Sequence, residues 1–287
     1  GVEPGLRGPT RREGAAEMVE EGRYALAEVA LEAERSRLQQ LQAINEPATL
    51  SRLAAIGVPR GRRGRVSGAG AGSIAWELAE RVGPKGAVVA ADIDPRFLDD
   101  FPGENRIVVT HDLREGPVPP ADFHFAHGRA ILAHVEDLKT AARHLVESVR
   151  PGGWVLCEEP DYGACAPCDP GHPHADTFAR YLEGVLAGDR MDPFAGRHVY
   201  CALADAGLEN LQSSAITEIV CGGSPRARYR RETMENVREM AVGQGSYTEQ
   251  SFQALLDCLD DPSFRYVDVL WVGVWGRRPP RQRAIHH

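Results

Sequence analysis

The residues best suited to chemistry in this 287-residue chain are a run of glycines and a later acid. Gly68, Gly70 and Gly72 are spaced G-x-G-x-G, and Asp92 lies twenty positions beyond Gly72. Glycine lets the backbone turn sharply from a strand into a helix, and it lets a ligand approach main-chain N–H groups that a Cβ would shield. An acid that ends the next strand can accept both ribose hydroxyls. The pattern therefore predicts a nucleotide-binding loop.

The spacing of the glycines also indicates which nucleotide the loop binds. A dinucleotide fingerprint has a third small residue five positions after the first glycine, and Ser73 stands there, but the glycines themselves run G-x-G-x-G. This favours a mononucleotide-like cofactor such as S-adenosylmethionine over NAD. The alternative, a tight turn without a ligand, is disfavoured by the strand, helix and acid that surround the loop.

Composition limits the class of protein. The chain is 43% hydrophobic with a net charge of −8, and its length suits one large core with a lid or two small domains, of which we favour the first. Phosphate binding needs a basic face, so the acidic balance argues against a nucleic-acid partner. We expect the arginine-rich runs 60–65 and 226–231 to be solvated faces or turn flanks.

Membrane and metal partners are not expected either. The chain has no run of about eighteen apolar residues and no signal-peptide layout at its start, which predicts a cytoplasmic protein. Its six dispersed cysteines are expected to be reduced thiols. Cys165 and Cys168, with His172 and His174, are of metal-ligand type, but prolines and a glycine interleave them, no second CxxC or HxxxH arm follows, and a pocket loop explains the same residues, so we predict no metal site.

Hydrophobic periodicity predicts strands that alternate with helices, and hence a parallel sheet with helices on both faces. A helix over 17–44 is followed by a break at Pro47, a shorter helix over 49–55 and a first strand, 61–66, that is unusual in holding three arginines. Further strands are predicted at 87–91, 106–110, 123–127, 154–158, 210–220 and 265–275, helices at 95–100, 135–149, 177–187, 200–206 and across 232–259, and a turn at 150–153.

Several motifs on these elements resemble those of class I S-adenosylmethionine-dependent methyltransferases, particularly the small-molecule enzymes common in actinobacteria. The resemblance rests on the glycine loop, on Asp92-Ile93-Asp94 after the second strand, on His111-Asp112-Leu113 after the third, on His127-Gly128-Arg129 after the fourth, and on Arg150-Pro151-Gly152-Gly153-Trp154 before the fifth. It covers most of the chain, is specific for the fold and the cofactor, and is nearly silent on the substrate.

The resemblance implies a Rossmann-like, doubly wound α/β fold with a mostly parallel seven-stranded sheet, an antiparallel last strand, an N-terminal helical cap and lid insertions. We assign residues 1–48 to the cap and 49–160 to the cofactor-binding core. Residues 161–287 supply the lid segments and the C-terminal strands that complete the same core. The lid suits a homodimer interface as well as a pocket wall, and the sequence does not choose between them.

The resemblance also assigns roles within the cofactor site. The methionine part of the cofactor would lie against the loop, the ribose hydroxyls on the acid after the second strand, and the adenine on the residues after the third; the residues implied are Gly68, Ala69, Gly70, Gly72, Asp92, Ile93, Asp112 and Leu113. His127 and Arg129 would lie beside the methionine part, or bond loop carbonyls at a strand end.

Substrate activation is assigned to His134 and Glu159, which by the same resemblance follow the fourth and fifth strands. An imidazole oriented by a carboxylate can take a proton from a hydroxyl. The alternative roles are a helix-capping histidine and a surface glutamate, and Asp161 and Tyr162 are nearby substitutes. One departure stands out, because Val66 occupies the position where the family usually carries an acid that helps to hold the cofactor's amino group.

Three functions follow from this reading. The first is methyl transfer to a small, natural-product-like metabolite, most simply on oxygen, with His134 and Glu159 as the base. The second is a protein of the same fold that has lost methyl transfer and catalyses a cyclisation or rearrangement, which the missing acid favours. The third is a non-catalytic binding protein.

Overall fold

The fold is built on a seven-stranded sheet in the described part of the chain, residues 31–188 and 191–280 of a computed structural model. The strands are β1 (Arg63–Ser67), β2 (Ala87–Asp92), β3 (Arg106–Thr110), β4 (Phe123–Arg129), β5 (Val149–Asp161), β6 (Ala166–Pro167), β7 (Glu209–Ile216), β8 (Ile219–Cys221), β9 (Arg265–Val267) and β10 (Leu270–Arg277). The helices are α1 (Leu31–Ile56), α2 (Ser73–Val82), α3 (Leu138–Glu147), α4 (Ala175–Ala187), α5 (Ala195–Asp205), α6 (Pro225–Asn236), α7 (Arg238–Gly243) and α8 (Glu249–Asp260), with 3₁₀ turns at Leu132–His134 and Tyr162–Ala164.

The strand order in the main sheet is β3-β2-β1-β4-β5-β10-β7. Strands β1 to β5 are parallel, and β10 is antiparallel to both β5 and β7. The predicted doubly wound sheet with an antiparallel last strand is therefore confirmed. A second, three-stranded antiparallel sheet, β6-β9-β8, lies outside it.

Two hydrophobic cores cover the two faces of the main sheet. One includes Phe123, Val155 and Cys157 with side chains of α3 and α5, and the other includes Val66, Phe125 and Leu156 with side chains of α2. Because side chains alternate along a strand, Leu156 of β5 lies on the opposite face from Val155 and Cys157, and an irregularity in the pairing of β4 between Phe123 and Phe125 places these two side chains in different cores. None of the described helices is long and apolar enough to span a bilayer.

Helix α1 differs from the prediction. It continues through Pro47 as one 26-residue helix, so it also crosses the cap–core boundary that we drew after residue 48. Proline removes one backbone donor from a helix. The helix persists because side chains on both sides of the proline hold it, with Asn45 bonding the Leu41 carbonyl and Thr49 and Arg52 bonding the core.

Other predicted elements are also altered. Residues 95–100 form turns rather than a helix, although Phe97 and Leu98 are buried. The predicted turn at 150–153 is an irregular part of β5, which runs from Val149 to Asp161. The strands predicted at 210–220 and 265–275 are each divided, because β8 and β9 pair with each other in the small sheet. Periodicity does not show which sheet a strand joins.

The expectation that the arginine runs are solvated is wrong for Arg65 and Arg230, which are buried. Arg65 in β1 is fully buried and donates to the hydroxyl of Ser148, while its Nε and Nη2 have no hydrogen-bond partner among the described residues. Burial lowers the pKa of Arg65 to about 9. A long side chain from a strand has only the adjoining core to enter, and its charge is left poorly compensated there.

Replacing this guanidinium with an apolar group should therefore not weaken the fold. We expect Arg65→Met to leave the free energy of unfolding unchanged or to raise it by roughly 1–3 kcal/mol, because it removes an uncompensated buried charge. Urea denaturation monitored by circular dichroism measures this. Arg63→Met, at a half-exposed position of the same strand, should change stability by about 0.5 kcal/mol or less. A large loss in Arg65→Met alone would show that the charge supports the fold.

Candidate active site

The glycine loop connects β1 to α2 at the carboxyl edge of the sheet. Gly68, Gly70 and Gly72 all have positive φ (59°, 53° and 86°), a conformation that other residues rarely adopt. A Cβ on Gly68 would overlap the Ile131 side chain, and one on Gly70 would lie 3.7 Å from Leu38 of α1. The loop is thus lined on one side by α1 and on another by the chain after β4, with Ala69 buried within it.

Asp92 ends β2 and faces this loop. Its carboxylate accepts hydrogen bonds from the backbone N–H of Gly70 at 2.8 Å and of Asp94 at 2.9 Å. Burial raises the pKa of Asp92 above its usual value, and the two N–H bonds oppose that rise. The acid therefore lies beside the glycines, as the sequence predicted, whereas the neighbouring Ile93 is exposed.

Asp112 and Leu113 follow β3. The Asp112 carboxylate pairs with Arg114 at 2.6 Å; burial opposes the charge, but these bonds hold the pKa of Asp112 below its usual value. Leu113 is buried, and its carbonyl lies 2.8 Å from Nδ1 of His144 in α3. This second bond fixes the backbone of the segment to which we assigned the adenine.

A buried charge network lies between α1 and the ends of β4 and β5. The Glu158 carboxylate accepts a bond from the Thr49 hydroxyl at 2.7 Å, pairs with Arg52, and lies 2.9 Å from Nε2 of His127. Arg129 donates to Thr49 Oγ1 at 3.1 Å. Burial opposes the charge of Glu158, but His127 and the two guanidinium groups lower its pKa to about 2, so it is a carboxylate.

The sequence pointed to two members of this network, His127 and Arg129, as residues beside the cofactor or bonding loop carbonyls, and missed the other three. Burial lowers the pKa of His127, so its imidazole is neutral and its Nε2–H donates to the carboxylate. Thr49 and Arg52 were assigned only to a short helix. The one signal for Glu158 was its position beside Glu159 in an otherwise apolar strand, where a charged side chain needs a partner.

Glu159 is buried, so the alternative that it is a surface glutamate is wrong. Its two oxygens accept bonds from the backbone N–H groups of Ile131, Leu132 and Ala133 at 2.9–3.2 Å. Burial raises the pKa of Glu159 to about 7, and these three bonds limit the rise. The carboxylate thus holds the 3₁₀ turn that ends at His134, instead of reaching the imidazole.

His134 lies at the end of that turn with its side chain accessible to solvent but surrounded by other parts of the protein. Burial within these surroundings and the nearby positive charge of Arg37 lower the pKa of His134 to about 4. The imidazole is consequently neutral at physiological pH.

A cavity lies against α1. Its walls come from α1, α6, α4 and the starts of β10 and the 162–164 turn, and they include Asn45, Tyr162, Tyr181, Tyr229 and Trp271. The centres of water molecules fit into about 50 Å³ of its interior, and the empty space counted out to its open mouth is about 460 Å³. Of the substitutes we considered for the catalytic pair, Tyr162 lines this cavity, whereas Asp161 is held by Arg197 at 2.6 Å.

The residues around the loop fit the predicted cofactor. Three loop glycines have positive φ and carry no Cβ, Asp92 supplies a carboxylate beside them, and α1 covers the loop. Three buried polar atoms here, the hydroxyls of Ser67 and Ser73 and Nδ1 of His127, have no hydrogen-bond partner among the described residues. Buried polar groups without partners in a protein commonly mark a ligand or water site.

The strand order, the glycine loop and Asp92 together define a class I S-adenosylmethionine-dependent methyltransferase fold. A family model described as a methyltransferase domain matches residues 48–213, more than half of the chain, and the protein belongs to that family.

Two fungal relatives come from Strobilurus tenacellus. Methyltransferase str3 is 33% identical and methyltransferase str2 is 32% identical, each over 94 residues that make up 32% of this chain. The matched segment spans only 34% of the length of either relative.

Solved structures share the fold at low identity. The YcgJ protein of Bacillus subtilis superimposes with a TM-score of 0.51 at 14% identity, covering 80% of this chain and 98% of its own. A Bacillus halodurans protein provisionally classed as a methyltransferase gives a TM-score of 0.52 at 18% identity, covering 81% and 99%. These likenesses support the architecture and do not indicate the substrate.

The buried network offers a direct test of what fastens α1 to the sheet. We expect Glu158→Gln to lower the free energy of unfolding by roughly 3–5 kcal/mol, because it leaves the Arg52 and Arg129 charges buried without their carboxylate. Urea denaturation at pH 7 measures this loss. Glu147→Gln removes a carboxylate whose side chain is 39% exposed and paired with Arg143, and should cost about 1 kcal/mol or less. Equal effects of the two substitutions would contradict this role of Glu158.

Proposed function

We propose that this protein transfers a methyl group from S-adenosylmethionine to a small-molecule acceptor, most simply on oxygen. The observation that carries the proposal is that one helix, α1, lies over both the glycine loop and the tyrosine-lined cavity. Leu38 packs on the loop, and Leu41 and Asn45, one and two turns further on, line the cavity. Cofactor and acceptor sites that share one covering helix are adjacent, as transfer between two bound molecules requires.

The bound cofactor supplies an electrophilic methyl group on a positively charged sulfur. The protein then has to align an acceptor oxygen with that carbon and remove the proton that the oxygen loses. We assign proton removal to His134, whose imidazole is neutral and is a group that can act as a general base. Glu159 acts as a positioning residue, since it holds the backbone of the turn on which His134 is carried.

A second function, reaction without methyl transfer, is favoured by one observation. Val66 is buried at the end of β1, where the family usually places an acid, and it pairs across the sheet with His127. If the amino group of the cofactor depends on that acid, the site binds the cofactor too weakly for transfer. For methyl transfer we propose a natural-product-like metabolite as the acceptor. For a reaction without transfer we propose the same class of metabolite as the substrate.

Cofactor binding separates these two functions without knowledge of the acceptor. We expect calorimetric titration to show that S-adenosylhomocysteine binds the wild-type protein and binds Asp92→Ala at least about tenfold more weakly, because hydrogen bonds to a charged group contribute roughly 1.5–3 kcal/mol. Asp100→Ala, which removes an exposed carboxylate from the following turn, should bind like wild type. Failure of the wild-type protein to bind either S-adenosylmethionine or S-adenosylhomocysteine would overturn methyl transfer.

The base is tested by the rate of transfer. We expect His134→Ala to lower the rate of methyl transfer by roughly 10²- to 10⁴-fold, the contribution typical of a general base, with unchanged affinity for S-adenosylhomocysteine. Because the pKa of His134 is about 4, its ionisation should not alter the wild-type rate between pH 6 and 8. His198→Ala, at an exposed histidine paired with Asp192, is the control. A loss of cofactor affinity that accounts for the whole rate change would reassign His134 to binding.

A further inference from the structure

The cavity walls are unusually rich in aromatic rings. Tyr162, Tyr181, Tyr229 and Trp271 all line it. Flat aromatic walls pack best against a flat ligand, through stacked or edge-to-face contacts. Burial raises the pKa of Tyr162 and of Tyr181, so both keep their hydroxyl protons and are neutral hydrogen-bonding groups.

Among the residues that line the cavity, positive charges outnumber negative charges. Arg226 and Arg230 are both there, and they share one carboxylate, Asp268, which pairs with Arg230 and lies 3.0 Å from Arg226. The other partner of Arg226 is Glu218, which does not line the cavity and whose side chain is 54% exposed. Inside the cavity wall, two positive charges thus face one buried negative charge.

Arg230 also has an unused donor. One of its terminal nitrogens donates to the Tyr181 hydroxyl at 2.8 Å and the other to Asp268, but its buried Nε has no hydrogen-bond partner in the described ranges. In the part of the wall that α1 contributes, Oδ1 of Asn45 is buried and lacks a donor from the described residues. A ligand with both an acceptor and a hydroxyl donor would relieve these two deficits.

We propose that the acceptor pocket takes a small aromatic carboxylate that carries a hydroxyl group, a hydroxybenzoate-like acid. The proposal rests on the function proposed above and names its substrate class. The carboxylate neutralises the excess positive charge of Arg226 and Arg230, the ring packs among the tyrosines, and a ring hydroxyl provides the oxygen that is methylated. Guanidinium groups bind carboxylates strongly because their planar donors match the two oxygens.

The carboxylate that this charge attracts is that of the acceptor rather than that of the cofactor. None of the residues that line the cavity belongs to the glycine loop or to the segment after β2. Arg52 and Arg129 do not line the cavity either, and belong to the separate network around Glu158. Substituting Arg230 should therefore weaken the binding of an aromatic acid and leave the cofactor product unaffected.

The test is a calorimetric titration of the full chain, first with S-adenosylhomocysteine and then, at saturation, with three probes of matched shape. These are 4-hydroxybenzoate, its neutral amide and 4-hydroxybenzylamine, which is a cation; cyclohexanecarboxylate serves as the non-aromatic acid. We expect 4-hydroxybenzoate to bind roughly tenfold to a hundredfold more tightly than the amide, with the amine and the non-aromatic acid weaker still.

Two substitutions assign the preference to Arg230. Arg230→Met should abolish the preference for the acid over the amide, and Arg230→Lys should keep part of it, because lysine retains the charge without the planar donors. Arg228→Met, at an exposed position on the same helix, should preserve it. The melting temperature of each variant shows whether it is folded. Its affinity for S-adenosylhomocysteine should equal that of the wild-type protein.

The outcomes separate the two proposals. Binding of S-adenosylhomocysteine without any preference for the acid over the amide in the wild-type protein overturns the substrate class and leaves methyl transfer standing. Absence of S-adenosylhomocysteine binding overturns the proposed function itself. If Arg230→Met is unstable, the wild-type preference and the Arg230→Lys variant still decide the question.

Discussion

The carboxylate of Glu158 is the interaction on which the arrangement of the site depends. It lies at the end of β5 and is held by α1 through Thr49 and Arg52, and by β4 through His127. Arg52 extends further across the sheet and donates to the carbonyls of Ser214 and Trp271. One helix is thereby fixed to strands β4, β5, β7 and β10 at once, and this anchoring sets the position of every α1 residue that covers the site.

The sheet makes room for this anchor. A Cβ on Gly273 in β10 would overlap the Arg52 side chain, so the guanidinium lies against the strand only because that residue is glycine. The result is a partly polar interior at this end of the molecule, since charged groups lie beneath α1 beside the apolar side chains of the same face. Buried ion pairs often contribute little net stability. What they specify here is position, because each charge is satisfied in only one geometry.

Parts of this design were predictable from sequence because they are local. The glycine spacing determines a tight strand-to-helix connection, an acid that ends the next strand must lie beside it, and the alternation of strands and helices determines a parallel sheet. The burial of Arg65 and Arg230 was not predictable in this way, because arginine runs are usually solvated and only tertiary contacts with Ser148, Tyr181 and Asp268 reveal otherwise. The same reason explains Pro47: contacts distant in sequence hold a helix that local preference would end.

Glu158 and Glu159 show how tertiary position gives identical neighbours opposite properties. Strand alternation directs one carboxylate towards α1 and the other towards the turn before α3. Glu158 meets Arg52 and Arg129, which lower its pKa to about 2, while Glu159 meets only neutral donors, a set of backbone N–H groups and the Cys157 thiol, and burial raises its pKa to about 7. The first is a permanent charge suited to anchoring a cover over the cofactor. Glu159 accepts hydrogen bonds from the backbone of the turn that carries His134. The position of the proposed base is therefore set by hydrogen bonds rather than by a strong local charge.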